Sequence, residues 1–186
     1  FAYILARKNF PLKSLVNGII DLPIIIPHSA AGIAVLGILT RDSWLGRGDE
    51  VFGVKFIGNP AGIIMAMAFV SIPFLINAAR DGFAAVPERL EKVALTLGAS
   101  PIRVFFTISL PLAWRSVLSG FILMWARGLS EFGAVIIVAY NPKTAPVLIY
   151  ERFTSYGLDY SISAAALFVA VCLAIFIVLR LIKKKS

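Results

Sequence analysis

The sequence predicts an all-α integral membrane protein, a polytopic helical bundle that leaves one short helical hairpin in water, and three observations carry the prediction. Hydrophobic residues make up 59% of the 186-residue chain and charged residues 15%, a proportion that a soluble domain of this size could not keep off its surface. Segments from Leu12 to Leu39, Ala61 to Ala79, Trp114 to Ala139 and Ser161 to Ile182 each approach the ~20 apolar residues needed to cross a hydrocarbon core. The basic residues sit at the ends of these segments and form no aromatic-interleaved patch, so the net charge of +8 is a topology signal and argues against nucleic acid as a partner. Residues 1–186 are expected to form a single transmembrane domain.

Phe1 to Leu5 has the character of the tail of an apolar segment that stops at Arg7 and Lys8, so more chain is expected before it. The first full span carries Pro23 and Pro27 with Asp21 and His28 nearby. Its backbone ladder must be interrupted there and satisfied by neighbours or by water. Asp21 and His28 are seven apart and share a face of a regular helix. A proton relay is one role for them; a cap for Asp21 and hydrogen-bonded packing for His28 is the other.

Gly32 and Gly37, then Gly62 and Ala66, provide small-residue faces for close helix approach, and Pro73 is placed to kink the second span. Between these spans, Thr40 to Pro60 is long enough for a short external docking surface. Gly46 and Gly48 lack any following Gly-Lys-Ser/Thr, so no phosphate-binding loop is present there.

The hairpin runs from Pro87 to Pro111. Pro87 presets φ for a first helical position, Glu88 and Glu91 favour the positive end of the helix dipole, and Leu90, Val93, Ala94 and Leu97 recur at helical spacing. Gly98 stands where a left-handed residue closes a helix, and Ser100 with Pro101 supplies the cap and first residue of a second one. Such a helix is too short to cross a bilayer and too apolar on one face to be left in water, so it should dock on something.

The third span places Arg127 and Glu131 four apart on one face near its middle. An intramembrane charge is a functional candidate, because it is disfavoured there by at least ~2.5 kcal/mol; mutual neutralisation inside the bundle is the structural role that stays open beside it. Asn141 to Tyr160 is expected as an external loop, and the last span repeats Ala166, Ala170 and Ala174, suited to tight packing and to a dimer seam. Cys172 stands alone, which excludes an intrachain disulfide and a cysteine metal site. With Lys183, Lys184 and Lys185 in the cytoplasm, twelve basic residues fall inside and five (Arg41, Arg47, Lys55, Lys143 and Arg152) outside, as the positive-inside rule asks. The hairpin is then cytoplasmic.

From Gly98, nine residues lead to Ile108-Ser109-Leu110-Pro111. This spacing resembles the "EAA" loop of membrane subunits of binding-protein-dependent ABC importers: Glu-Ala-Ala, three residues, Gly, nine residues, Ile-x-Leu-Pro. The start departs from it. Lys92 and Val93 occupy the Glu and first Ala positions, Ala94 is kept, and Glu91 comes one place early. The stretch Arg127 to Pro142, with Glu131-Phe132-Gly133, is similar to the corresponding segment of the sulfate and molybdate branch.

The resemblance implies that the hairpin is a coupling helix seated in a groove of a separate ATP-hydrolysing subunit, through Glu91, Lys92, Ala94, Leu97, Gly98, Ala99, Ser100, Pro101 and Pro111. It implies a homodimeric permease of a prokaryotic cell membrane, fed by an extracytoplasmic oxyanion-binding protein. No cofactor is expected on this chain, ATP and magnesium being held by the partner. Molybdate or tungstate is the expected substrate and sulfate or thiosulfate the alternative, with Ser71, Arg127, Ser130, Glu131, Phe132 and Gly133 as pathway candidates. Thr40 is a further hydroxyl for an oxyanion, which wants hydroxyls, amides and helix N-termini. A proton-coupled carrier using Asp21, His28, Arg127 and Glu131 should show inverted repeats, and the sequence shows none. No P-loop lysine, Ser/His/Asp set or metal cluster can be assembled, so the chain is not expected to be an enzyme.

Overall fold

The computed structural model describes residues 1–40 and 56–185, with side chains as far as Leu181, and among them every regular element is a helix. In chain order these are α1 (Ala2–Arg7), α2 (Lys13–Ile25), α3 (His28–Leu39), α4 (Pro60–Ala85), α5 (Glu88–Thr96), α6 (Pro101–Val104), a π turn (Phe105–Ser109), α7 (Leu110–Leu129), α8 (Gly133–Val138), α9 (Ala145–Tyr156) and α10 (Leu158–Lys185). Among the described residues three stretches are long and apolar enough to cross a membrane, Pro60–Ala85, Pro101–Leu129 and Leu158–Leu181, and α2 with α3 passes the same test as a bent pair. The expected external loop after Thr40, with Trp44 and the basic residues Arg41, Arg47 and Lys55, falls largely outside the described residues.

The bundle is built on the antiparallel pair α4 and α7, its most extensive helix contact. Lipid tails are as apolar as leucine, so burial of hydrocarbon does not by itself drive two such helices together; close contact does. A Cβ added at Gly120 would lie 2.7 Å from the Ala78 Cβ and 3.2 Å from the Leu75 backbone, so only glycine permits this approach. One apolar cluster joins α3, the first half of α4, α8 and α9 through Ala31, Val35, Ala66, Val70, Val135 and Val147. A second, at the hairpin end, joins Ala79, Phe83, Val86 and Ala113 to Ala2, Tyr3 and Phe105.

The first expected span is interrupted, as its prolines require, and folds as two helices. α2 and α3 meet at a bend of 116°. Pro23 lies inside α2 without ending it. Pro27 makes the break, because the residue before a proline is driven out of the helical region, and Ile26 sits at φ −74°, ψ 147°. Asp21 and His28 therefore stand on opposite sides of the bend and share no face. Asp21 instead accepts a hydrogen bond from Asn77 Nδ2 of α4 at 2.6 Å.

The third expected span is also shifted. Its helix starts at Pro101, runs through the π turn into α7 and stops at Leu129. The hairpin's second arm is thus the first part of a span. Pro111 comes two residues after the last residue of the π turn, and the wider i→i+5 geometry accommodates a proline whose N–H is missing and whose ring crowds the preceding carbonyls. Arg127 and Glu131 consequently lie at the span's end and not at its middle. The expected loop Asn141 to Tyr160 contains a twelve-residue helix, α9, announced by Thr144 and by Pro146 in its first turn. α10 packs chiefly on α9 and α7, and Ala166, Ala170 and Ala174 are exposed on it.

Candidate functional site

The structure gathers the hairpin candidates at one end of the bundle. Gly98 takes φ +86°; its N–H bonds the Leu95 carbonyl at 3.0 Å, and the Ala99 N–H reaches back to the Ala94 carbonyl at 3.1 Å. This pair of bonds closes α5 with a left-handed residue, as the glycine position predicts. Ser100 Oγ accepts the Arg103 N–H at 3.3 Å and caps the second arm. Ala94 and Leu97, with Leu90, Val93 and Pro111, line an open cleft of about 630 Å³ between α5 and the start of α7. Leu97, at the tip, is 82% exposed. Lys92 pairs with Glu88 at 2.9 Å on the outer surface.

Glu91 points the other way. It is 7% exposed and is the buried residue of α5. Arg7 of α1 grips it with Nη2 to Oε1 at 2.8 Å and Nε to Oε2 at 3.0 Å. Ser109 Oγ donates to Oε1 at 2.7 Å and Tyr3 OH to Oε2 at 3.2 Å, while Arg7 Nη2 also donates to the Val86 carbonyl at 2.7 Å. Burial alone would raise the Glu91 carboxyl; the hydrogen bonds from Arg7, Ser109 and Tyr3 and the guanidinium charge outweigh it and hold the group below the usual carboxylate range. Sequence reasoning misses Arg7, Tyr3 and Ser109. The available signals were an arginine ending an apolar segment and a glutamate one place off the expected register.

A second polar group lies where α7 ends. Glu131 is 1% exposed, meets Arg127 Nη2 at 2.9 Å through Oε2, and accepts the Ala134 N–H at 2.9 Å through Oε1. Its carboxylate thereby caps α8. Arg127 also meets His28 Nε2 at 2.8 Å, and His28 Nδ1 lies 3.8 Å from Glu131. His28 opens α3, and its side chain is 49% exposed. Ser130 Oγ donates to the Arg127 carbonyl at 3.0 Å.

The two helix breaks are pressed together by glycines. A Cβ on Gly133 would come within 2.9 Å of the His28 Cβ, and one on Gly32 within 2.8 Å of the Ala134 Cα. Phe132 stacks obliquely on Tyr150 at 4.8 Å and borders a cavity of about 510 Å³ with Ser130 and Phe153. Ser71 is placed elsewhere: it is buried on the α4–α7 seam opposite Gly128, with its hydroxyl bonded to the Met67 carbonyl at 2.6 Å. Thr40 Oγ1 donates to the Gly37 carbonyl at 2.8 Å at the end of α3.

Residues 1–185 match the family model described as "binding-protein-dependent transport system inner membrane component". The chain is 53% identical over 178 residues to the molybdate/tungstate transport system permease protein of Pyrococcus abyssi, covering 96% of this chain and 66% of that one. It is 47% identical over 179 residues to the protein of the same description from Methanocaldococcus jannaschii, covering 96% and 70%. It is 35% identical over 164 residues to a probable sulfate transport system permease protein of Chlorokybus atmophyticus, covering 86% and 57%. The chain spans about two thirds of the length of the Pyrococcus relative. The fold is similar to the crystal structure of a bacterial ABC transporter involved in import of the acidic polysaccharide alginate, with TM-score 0.74, 18% identity, and coverage of 99% of this chain and 70% of that one. A multi-pass helical bundle, a glycine-turned hairpin at one end and a family match along nearly the whole chain lead to one assignment: the chain belongs to the family of binding-protein-dependent transport system inner membrane components.

Proposed function

We propose that the chain is the permease subunit of an ATP-driven importer that passes molybdate or tungstate across a prokaryotic cell membrane. The observation that carries the proposal is the identity of 53% to a relative described as a molybdate/tungstate permease, against 35% to the sulfate permease relative. The hairpin, facing the cytoplasm with the C-terminus, docks its open apolar cleft and exposed tip on a separate ATP-hydrolysing subunit. An extracytoplasmic binding protein delivers the anion to the opposite end, and a second copy of the chain completes the pathway. ATP and magnesium belong to the partner subunit.

The chemistry of the Arg127 group suits a conduit. A tetrahedral dianion needs N–H and O–H donors, and Arg127 and the exposed edge of His28 supply N–H groups at one place, with Ser130 beside them, its hydroxyl held on the Arg127 carbonyl. Glu131 offsets the Arg127 charge, so the site attracts an anion without trapping it, which conduction requires. Phe132 and Gly133 set the wall beside it. Ser71 belongs to the pathway through the seam that must shift when the pair α4 and α7 moves.

The test is uptake of labelled molybdate into vesicles holding this subunit, its ATPase and the loaded binding protein. ATP-dependent uptake blocked by tungstate but not by excess sulfate is expected. Uptake blocked by sulfate would move the substrate, and uptake that ignores ATP and follows the proton gradient would overturn the importer.

A further inference from the structure

The hairpin helix has an unusual attachment. Its apolar residues Leu90, Val93 and Leu97 are exposed, and the residue it buries is the carboxylate of Glu91. Hydrocarbon packing therefore does little to hold α5 on the bundle. What holds it is a directional network reaching three other elements: Arg7 and Tyr3 from α1, Ser109 from the π turn, and the Val86 carbonyl that ends the α4 connection.

α1 is itself fixed to the body. The Tyr3 ring packs edge-on against Phe83 of α4 at 5.4 Å and Phe105 of the π turn at 5.1 Å. Ala2, Tyr3 and Ala6 sit on the cluster of Ala79, Phe83, Val86 and Ala113. Arg7 thus leaves a packed helix and ends on a carboxylate in the hairpin, with each side chain of the pair 9% exposed. Apolar contacts slide; a two-pronged, water-excluded ion pair resists displacement in both pull and push.

We propose that Arg7 and Glu91 are positioning residues forming a latch that makes the hairpin, α1 and the start of α7 move as one body, so that displacement of the hairpin reaches the spans. The latch rests on the importer assignment above and gives Glu91 an internal role: at 7% exposure its carboxylate faces the bundle and not a docked partner. Tyr3 and Ser109 hold the same carboxylate and sharpen its orientation.

The test uses the whole transporter, with its ATPase and binding protein, in vesicles, and reads labelled molybdate taken up per ATP hydrolysed. ATP dependence in the wild type checks the importer assignment independently of any variant. Arg7→Glu and Glu91→Arg are each expected to keep the ATPase on co-purification yet lose more than about tenfold in uptake per ATP, since each reversal sets two like charges together where the ion pair stood. The double exchange is expected to recover most of the ratio. Should a single reversal fail to assemble, Glu91→Gln and Ser109→Ala give smaller losses in the same direction.

A second measurement needs no transport. Spin labels at exposed positions Lys8 and Thr96, in a Cys172→Ser background, should keep one distance with and without ATP in the wild type and change distance with ATP in Glu91→Gln. An unchanged uptake-to-ATP ratio in Glu91→Gln, or a Lys8 to Thr96 distance that changes with ATP in the wild type, would overturn the latch.

Discussion

Replacing Gly98 isolates one variable, backbone handedness. The residue sits at φ +86° and a Cβ added there meets nothing within 4 Å in this chain, so the effect on the hairpin itself is conformational. An L-residue held in the left-handed region is disfavoured by roughly 1–2 kcal/mol. A β-branched side chain is worse placed still and would move the backbone out, losing the Gly98 to Leu95 and Ala99 to Ala94 bonds at about 0.5–1.5 kcal/mol each. The expected loss is therefore about 1 kcal/mol for Gly98→Ala, less for Gly98→Asn because asparagine tolerates this region, and about 2–4 kcal/mol for Gly98→Val. The assay pairs thermal unfolding of the ATPase-bound complex with uptake per ATP hydrolysed. Both should fall in the order Asn, Ala, Val. An order that follows side-chain size, with asparagine worse than alanine, would refute the backbone argument, and wild-type coupling in Gly98→Val would refute the hairpin's role.

Three further outcomes follow from the same geometry. Glu131→Ala strands the Arg127 charge and the Ala134 N–H, a loss of about 3–5 kcal/mol, whereas Glu131→Gln keeps an acceptor for α8 and should lose visibly less; unfolding midpoints in detergent separate the two. Gly133→Ala sets a Cβ 2.9 Å from that of His28 and should destabilise by about 1–3 kcal/mol through overpacking, with molybdate uptake falling if the Arg127 to His28 contact matters. Glu91 has a carboxyl held below its ordinary value, so its stabilisation is full above the unfolded pKa near 4.3 and fades as pH falls through the lower folded value. Wild-type stability should therefore drop below about pH 4 more steeply than that of Glu91→Gln, measured by unfolding across pH 3 to 6.

The parts of this fold that are legible in the sequence are those decided within a few residues. Gly98 followed by Ser100-Pro101 dictates a turn whose handedness and cap the structure reproduces, because a left-handed closure and an N-cap are local events. The apolar segments are legible because their composition alone decides the solvent they need. Prolines are only half legible. Pro23 and Pro27 stand four apart in one span, yet one is absorbed by α2 and the other turns the chain through 116°. The difference lies in the α8 glycine and alanine surface that receives α3, which no local pattern announces. The Arg7 to Glu91 pairing is hidden for the same reason, its partners lying 84 residues apart, and His28, though marked as a candidate, is drawn to Arg127 and not to Asp21 by a contact across 99 residues.

The break after α7 shows why charge can sit in so apolar a bundle. Stopping a helix inside hydrocarbon frees carbonyls and N–H groups that lipid cannot satisfy. Here the freed groups are met within five residues: Ser130 Oγ bonds the Arg127 carbonyl, and Glu131 takes the Ala134 N–H. Arg127 then neutralises Glu131, so the capping carboxylate is tolerated at 1% exposure. These two bonds come from the break's own side chains, and α3 packs against it closely through Gly32 and Gly133 while His28 adds a polar contact to Arg127. The exposed edge of His28 is what this arrangement leaves toward water. On the proposed reading an anion would meet His28 there without disturbing a capping bond, and replacing His28 with leucine should weaken uptake while leaving the unfolding midpoint near wild type.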